Sequence, residues 1–322
     1  MSGTLAAPQR HLMLFSGRAH PQLARSVAEL LEIDLTPSRL ISYANSEVYV
    51  RYEESVRGCD AFVIQSDPAP VNEWVMEHLI MVDALKRASA KRITVIVPFY
   101  PYGRQDKKHL GREPISARLI ADLFQTAGAD RIMSVDLHAA QIQGFFDGPV
   151  DHLSGLPVLA DYVAHHYDTS DMTVVSPDAG RVRLADAWAD RLGAPLAIIH
   201  KRHDPLHANE VQVSEVVGDV AGRICLLVDD MIDTAGTMCK AANALCAHGA
   251  RQVIAAATHP VLSDKAVQRL NAVDFKEVIV TNTLPIRDDA HINNLTVLSI
   301  APLIAQAIHE VFTDGSVTRL FD

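Results

Sequence analysis

The chemically densest stretch of the sequence is Ile-Cys-Leu-Leu-Val-Asp-Asp-Met-Ile-Asp-Thr-Ala-Gly-Thr, residues 224–237. A five-residue apolar run ends in two adjacent carboxylates, Asp229 and Asp230. Asp233, Thr234, Ala235, Gly236 and Thr237 follow, and an Ala-rich helical pattern begins at Met238. A short continuous apolar run reads as a buried parallel strand, and open α/β sheets place ligands at the carboxyl ends of such strands. Residues 234–237 then open a helix, so their backbone N–H groups and hydroxyls can surround an anion. Carboxylates accept hydrogen bonds from sugar hydroxyls. The stretch therefore asks for a phosphate and a polyol about one sugar apart. Acids after a strand can also serve only as helix caps, but the whole string behind an apolar run favours a ligand loop.

Four further groups carry chemistry. Phe99 to Lys108 follows an apolar run and is aromatic and basic, with Arg104 and Gln105 at its centre; arginine grips phosphate bidentately and lysine adds point charge. Asp136-Leu137-His138 ends another apolar run, where Asp and His can meet Mg²⁺ directly or through water, although His is an unusual ligand for so hard an ion. Ser176-Pro177-Asp178 ends a third. Lys201-Arg202-His203 ends a fourth and supplies cations.

Together these strings resemble the ribose-phosphate diphosphokinase family, also called the phosphoribosyl-diphosphate synthetases, in its class I bacterial form. Residues 229–237 resemble the phosphoribosyl-diphosphate motif of the type I phosphoribosyltransferase fold, and Asp136-Leu137-His138 through Gln143-Gly144-Phe145-Phe146 matches the family signature. The resemblance runs from Leu12 to the tail. It implies transfer of the diphosphoryl group of ATP to ribose 5-phosphate, for nucleotide, histidine and tryptophan synthesis. Asp229, Asp230 and Asp233 to Thr237 are expected to hold ribose 5-phosphate. Tyr43, Asn45, Ser46, Glu47, Arg104 and Gln105 are expected to hold ATP. His138 and Asp178 are expected at Mg²⁺, and Lys201, Arg202 and His203 are the expected catalytic cations. The sequence departs from the family at Ser46, where glycine is usual, and at His203, where a second catalytic arginine is usual; a histidine there would be a weaker, pH-dependent cation. A homohexamer, with phosphate and ADP as effectors, is also implied by resemblance.

These residues need a frame. Apolar β-type runs at 12–15, 62–65, 93–99, 132–135, 173–175, 196–199, 224–228, 253–257 and 278–280 alternate with amphipathic stretches at 19–31, 73–87, 116–126, 182–192 and 237–247. That alternation predicts βαβ units and mostly parallel sheets. The halves also repeat: Glu47-Val-Tyr-Val precedes Ala61 by 61 − 47 = 14 positions, and Glu210-Val-Gln-Val precedes Ile224 by 224 − 210 = 14 positions. The first copy has Ser66-Asp67-Pro68-Ala69-Pro70 where the second has the acid-rich loop, and two prolines remove backbone donors there. The expected fold is α/β, two tandem type I phosphoribosyltransferase-like domains with sheets flanked by helices: residues 1–152 for ATP and 153–322 for ribose 5-phosphate, the tail 308–322 returning to the first. Gly-Pro and Gly-Leu-Pro punctuation places the boundary at 148–157.

At 322 residues, the chain is long enough for two cores. Its net charge of −10 argues against a general nucleic-acid binder. Four cysteines without a CxxC pair fit a reduced cytosolic compartment, and neither a signal-peptide core nor a membrane-length apolar run is present. Three rivals share parts of the pattern. A phosphoribosyltransferase would need neither the Arg104 loop nor Asp136-Leu137-His138. A non-catalytic regulatory paralogue of the synthetase would lose catalytic-loop residues, most of which stand here. A DNA-binding regulator on this fold would need a basic helix-turn-helix.

Overall fold

Strand β1 (Leu12–Ser16) starts the first unit and is followed by α1 (Pro21–Leu30). The computed structural model describes residues 10–201 and 214–320. α1 buries Leu23, Ala24, Val27 and Ala28, a single stripe at helical spacing. An antiparallel hairpin, β2 (Ser38–Ser42) and β3 (Val48–Tyr52), comes next. β4 (Asp60–Ile64), α2 (Val71–Arg87), β5 (Arg92–Val97), α3 (Ser116–Ala127), β6 (Arg131–Val135) and β7 (Val150–Leu153) complete the series. The sheet runs β1-β4-β5-β6-β7, all parallel. β4 is buried along its whole length, as expected of a strand covered on both faces.

The second unit begins with α4 (Leu156–His166) and continues with β8 (Met172–Ser176), α5 (Val182–Leu192), β9 (Leu196–Lys201), β10 (Ser214–Val217) and β11 (Ile224–Ile232). α6 (Gly236–Ala247), β12 (Gln252–Pro260), α7 (Ala266–Asn271), β13 (Glu277–Thr281) and β14 (Leu295–Leu298) follow. Its sheet runs β10-β9-β8-β11-β12-β13-β14, parallel except for β10 on β9. Five strands of each unit, β1-β4-β5-β6-β7 and β8-β11-β12-β13-β14, thus share one order, and each unit inserts an antiparallel pair at the same point of the chain. The duplication read from the sequence has its counterpart in this strand order; residues 210–213, which carry the second copy of the 14-residue spacing, lie outside the described residues.

The units comprise Met1–Leu153 with Ala301–Asp322, and Ser154–Ile300. The returning tail begins at Ala301 and not at 308, because α8 (Ala301–Phe312) buries Leu303, Ile304, Ala307 and Ile308 and packs beside α1. The punctuation at 148–157 is not a linker: it holds β7 and the start of α4, where Pro157 sits in the first turn that tolerates it. The described strands absent from the sequence reading (β2, β3, β7, β10 and β14) are short, and those with described burial are mostly half-buried. Without a continuous apolar run they leave little periodic signal.

Candidate active site

The main departure from expectation lies in β11. The sequence reading ends this strand at Val228, but it continues through Ile232, with Asp229 opposite Ala257 and Ile232 opposite Pro260 on β12. Asp229 and Asp230 therefore project from a paired strand and not from a loop. Both side chains are largely buried, and the Asp230 N–H donates to Asp229 Oδ1 at 2.8 Å. Burial first, and the Asp230 carboxylate second, push the Asp229 acid above the usual carboxylate range. One cation opposes this. Arg181 places Nε 2.8 Å from Asp229 Oδ1 and Nη2 2.9 Å from Asp230 Oδ1.

Residues 233–237 link β11 to α6 and are held from below. Leu262 N–H donates to the Ile232 carbonyl, Ser263 N–H to the Asp233 carbonyl, and Arg269 Nη1 to the Thr234 carbonyl at 2.7 Å. The Ser263 hydroxyl donates to the Asp233 carboxylate, so Asp233 braces the loop. Thr234 and Thr237 are exposed, and Ala235 caps α6 in the left-handed region at φ 60°. A helix start leaves its first amides without intrahelical partners, and left-handed residues beside such amides make anion-binding concavities. The conformation costs a non-glycine residue on the order of 1 kcal/mol. Ala235→Gly is expected to raise stability by up to about 1 kcal/mol, and the β-branched Ala235→Val to lower it by about 1–3 kcal/mol. Chemical denaturation of both variants checks this; Ala235→Val as stable as the parent would mean that the loop does not hold its left-handed turn.

In the first unit, Tyr43 to Glu47 form the tip of the β2–β3 hairpin. Tyr43 N–H donates to the Glu47 carbonyl at 2.8 Å, and Asn45 Oδ1 accepts the Glu47 N–H. Ser46 adopts φ 72°, the geometry for which glycine is the usual choice, so the Gly-to-Ser departure leaves the turn in its left-handed form. The Arg104 loop is tied at its far side: Gln105 accepts the Ser116 hydroxyl at 2.6 Å and, through its carbonyl, the Ala117 N–H. A Cβ at Gly103 would stand 3.5 Å from His138 Cβ, so the loop lies against the Asp136–His138 turn. That turn is clamped by β7. Asp136, at φ 39°, donates its N–H to the Leu153 carbonyl, and Leu137 N–H donates to His152 Nε2 at 2.9 Å.

Asp178 lies two residues beyond β8 and caps the next turn, its carboxylate accepting the Gly180 N–H at 2.8 Å. Lys201 is the last residue of β9, opposite Ser214; Arg202 and His203 lie outside the described residues. Among the described residues, no group of three or more His, Cys, Asp or Glu gathers as a metal cage.

Comparison with known proteins names the family. A profile of the N-terminal domain of ribose phosphate pyrophosphokinase matches residues 12–128. A profile of the phosphoribosyl synthetase-associated domain matches residues 205–322. The ribose-phosphate pyrophosphokinase of Streptomyces coelicolor is 65% identical over 322 residues, 100% of this chain and 99% of that protein. The protein of that name from Mycobacterium tuberculosis is 63% identical over 315 residues, 98% of this chain and 97% of its own length. A crystal structure of phosphoribosylpyrophosphate synthetase from Mycobacterium smegmatis matches with a TM-score of 0.90 at 61% identity, over 95% of this chain and 100% of that one. The chain belongs to the ribose-phosphate pyrophosphokinase family.

This pyrophosphokinase-family chain is thus an enzyme of α/β fold. Its second unit brings Asp229, Asp230 and the 233–237 loop together at the end of one strand. Its first unit brings the Arg104 loop and His138 together. Two residues that the sequence reading passed over join these groups: Arg181 at the paired acids and His152 behind the His138 turn. Neither had a sequence signal, since an isolated Arg or His is uninformative until the fold puts a carboxylate or a backbone N–H beside it. A cavity of about 600 Å³ opens elsewhere, where β4, β5 and β6 begin. Its Arg10, Arg92 and Arg131 are paired with Asp60, Asp314 and Asp151, and it contains none of the expected ligand residues. No described helix is long and apolar enough to cross a membrane.

Proposed function

We propose that the enzyme moves the diphosphoryl group of ATP onto the anomeric hydroxyl of ribose 5-phosphate, giving 5-phosphoribosyl 1-diphosphate and AMP. The observation that carries this reading is the pair of carboxylates fixed on β11 one short loop before the left-handed N-terminus of α6. In the proposal, Asp229 and Asp230 accept hydrogen bonds from the ribose hydroxyls. Thr234, Thr237 and the amides of residues 235–237 take the 5-phosphate, and Asp233 keeps that loop in place. Tyr43 stacks on the adenine, Asn45, Ser46 and Glu47 read its polar edge, and Arg104 and Gln105 hold the phosphates.

The anomeric oxygen attacks the β-phosphorus in line. The bond from that phosphorus to the oxygen bridging the α-phosphate breaks, AMP leaves with the bridging oxygen, and the proton of the attacking hydroxyl passes to solvent. Such chemistry rests on positioning and charge stabilisation. Lys201, with Arg202 and His203, stabilises charge developing on the transferred group. Mg²⁺ bound with the nucleotide would polarise the diphosphate, and His138 and Asp178 are the residues that the resemblance assigns to it. The resemblance brings a homohexamer, with phosphate and ADP as effectors. Leu119 and Leu123, exposed one turn apart on α3, with Ile115 exposed at its N-cap, support association of copies, and sedimentation is the check.

Purified protein incubated with Mg-ATP and ribose 5-phosphate is expected to release AMP only when the sugar phosphate is present, in step with phosphoribosyl diphosphate. ADP as the nucleotide product would replace the proposal with an ordinary kinase. Binding of both substrates without turnover would leave the regulatory paralogue, and His203→Arg would then be the first reversion to make.

A further inference from the structure

Arg181 occupies a position that the expected chemistry leaves unassigned. It closes the short turn Ala179–Arg181 after β8. The turn is fixed by Asp178, whose carboxylate takes the Gly180 N–H and whose carbonyl takes the Ser176 hydroxyl at 2.7 Å. β8 neighbours β11 in the sheet, with Val175 opposite Leu227, so the turn stands beside residues 229 and 230. From there one guanidinium reaches both acids, at 2.8 and 2.9 Å. The arrangement is enclosed: 22% of the arginine side chain is accessible, against 14% and 7% for the two carboxylates.

Two carboxylates on consecutive residues in a half-dry site repel each other, and a cation laid across both offsets part of that repulsion and holds them side by side. A guanidinium suits this role because it is permanently charged, weakly hydrated and planar, so its fork can serve two oxygens at once. The enclosure is what makes the pair consequential. Ion pairs exposed to water contribute little, whereas removal of one partner from a buried set leaves uncompensated charge. A divalent cation could supply the same balance, but in this chain a protein cation already sits there.

We propose that Arg181 is a built-in counter-cation that positions Asp229 and Asp230 for the ribose hydroxyls, so that ribose 5-phosphate binds to this site without a divalent metal. The inference rests on the reading of those two acids as the ribose-binding pair. Arg181 acts through the acids, as a positioning residue.

The test is calorimetric titration of ribose 5-phosphate into the full-length protein without nucleotide, once in EDTA and once in millimolar MgCl₂. The parent is expected to bind in both buffers with similar affinity. Arg181→Gln is expected to bind at least about tenfold more weakly in EDTA, the scale of a lost charged hydrogen bond, and to recover most of that loss in MgCl₂. Arg181→Lys, which keeps the charge but not the fork, should fall between them and serves as the readout if the glutamine variant does not fold. A purely structural arginine would give a loss that magnesium does not restore, and that result overturns the proposal. So would tighter binding by Arg181→Gln in EDTA, the signature of an arginine that only blocks the acids, and so would a parent that binds only with magnesium. Thr237→Ala separates the layers. If the parent binds, Thr237→Ala weakens binding and Arg181→Gln does not, the site reading stands and the Arg181 inference falls. If the parent binds ribose 5-phosphate in neither buffer, the site reading falls and takes the inference with it.

Discussion

Lys201→Ala is expected to reduce turnover by roughly a hundred- to a thousandfold while leaving the affinities for ATP and ribose 5-phosphate near those of the parent. The range is that for removing one preorganised group that stabilises transition-state charge. An interaction made mainly in the transition state lowers kcat without raising KM, whereas one made equally in the ground state does the reverse. Lys201 is the last residue of β9, a strand paired to β8 and β10. Steady-state kinetics with separate binding titrations decide the matter. Near-parental turnover would remove Lys201 from the chemistry, and a large rise in KM at unchanged kcat would make it a binding residue.

Asp67→Asn is expected to change the pH dependence of stability. Asp67 stands where the first copy of the repeat has lost its acid-rich loop, and it is fully buried. Neither carboxyl oxygen has a hydrogen-bond partner among the described residues. Burial first, and the nearby Glu77 second, raise its pKa well above the ordinary 3.8. The Glu77 carboxylate already takes the Arg18 N–H and Nε and the Gln65 amide, so these donors serve Glu77. In the fold Asp67 keeps its proton; in the unfolded chain above pH 3.8 it does not. The unfolded state therefore binds fewer protons, and stability falls as pH rises from 3.8 to the folded pKa, by on the order of 1 kcal/mol per pH unit. His78 contributes the opposite slope. Burial lowers its pKa to about 3, so it is neutral in the fold and gains a proton on unfolding below 6.5, which makes stability rise with pH between 3 and 6.5. The difference between parent and variant isolates Asp67. Urea denaturation from pH 5 upward should show Asp67→Asn gaining on the parent with each pH unit, and parallel curves would mean that Asp67 is ionised in the fold.

The sequence by itself determined the fold class, the tandem repeat and the ligand-bearing strings. Buried parallel strands announce themselves as continuous apolar runs, and β4, β5, β11 and β12 all do so. The string from Asp229 to Thr237 was legible because each residue type answers a local demand, acids after a strand and small hydroxyl-bearing residues at a helix start. Tertiary structure decided what depends on a neighbour across the chain. It carried β11 through its two acids, because β12 continues to pair with it to Pro260. It drew α8 back to the first unit, because that helix's apolar stripe is buried beside α1, some 280 residues earlier in the chain. It turned Asp233 toward Ser263 and laid Arg181 across Asp229 and Asp230. Periodicity reports which face of an element is buried, but not which residue of another element meets it. Charge pairing, register and long-range packing arise only when β8 and β11 lie side by side, and from that adjacency comes the half-buried Arg181 at the paired acids.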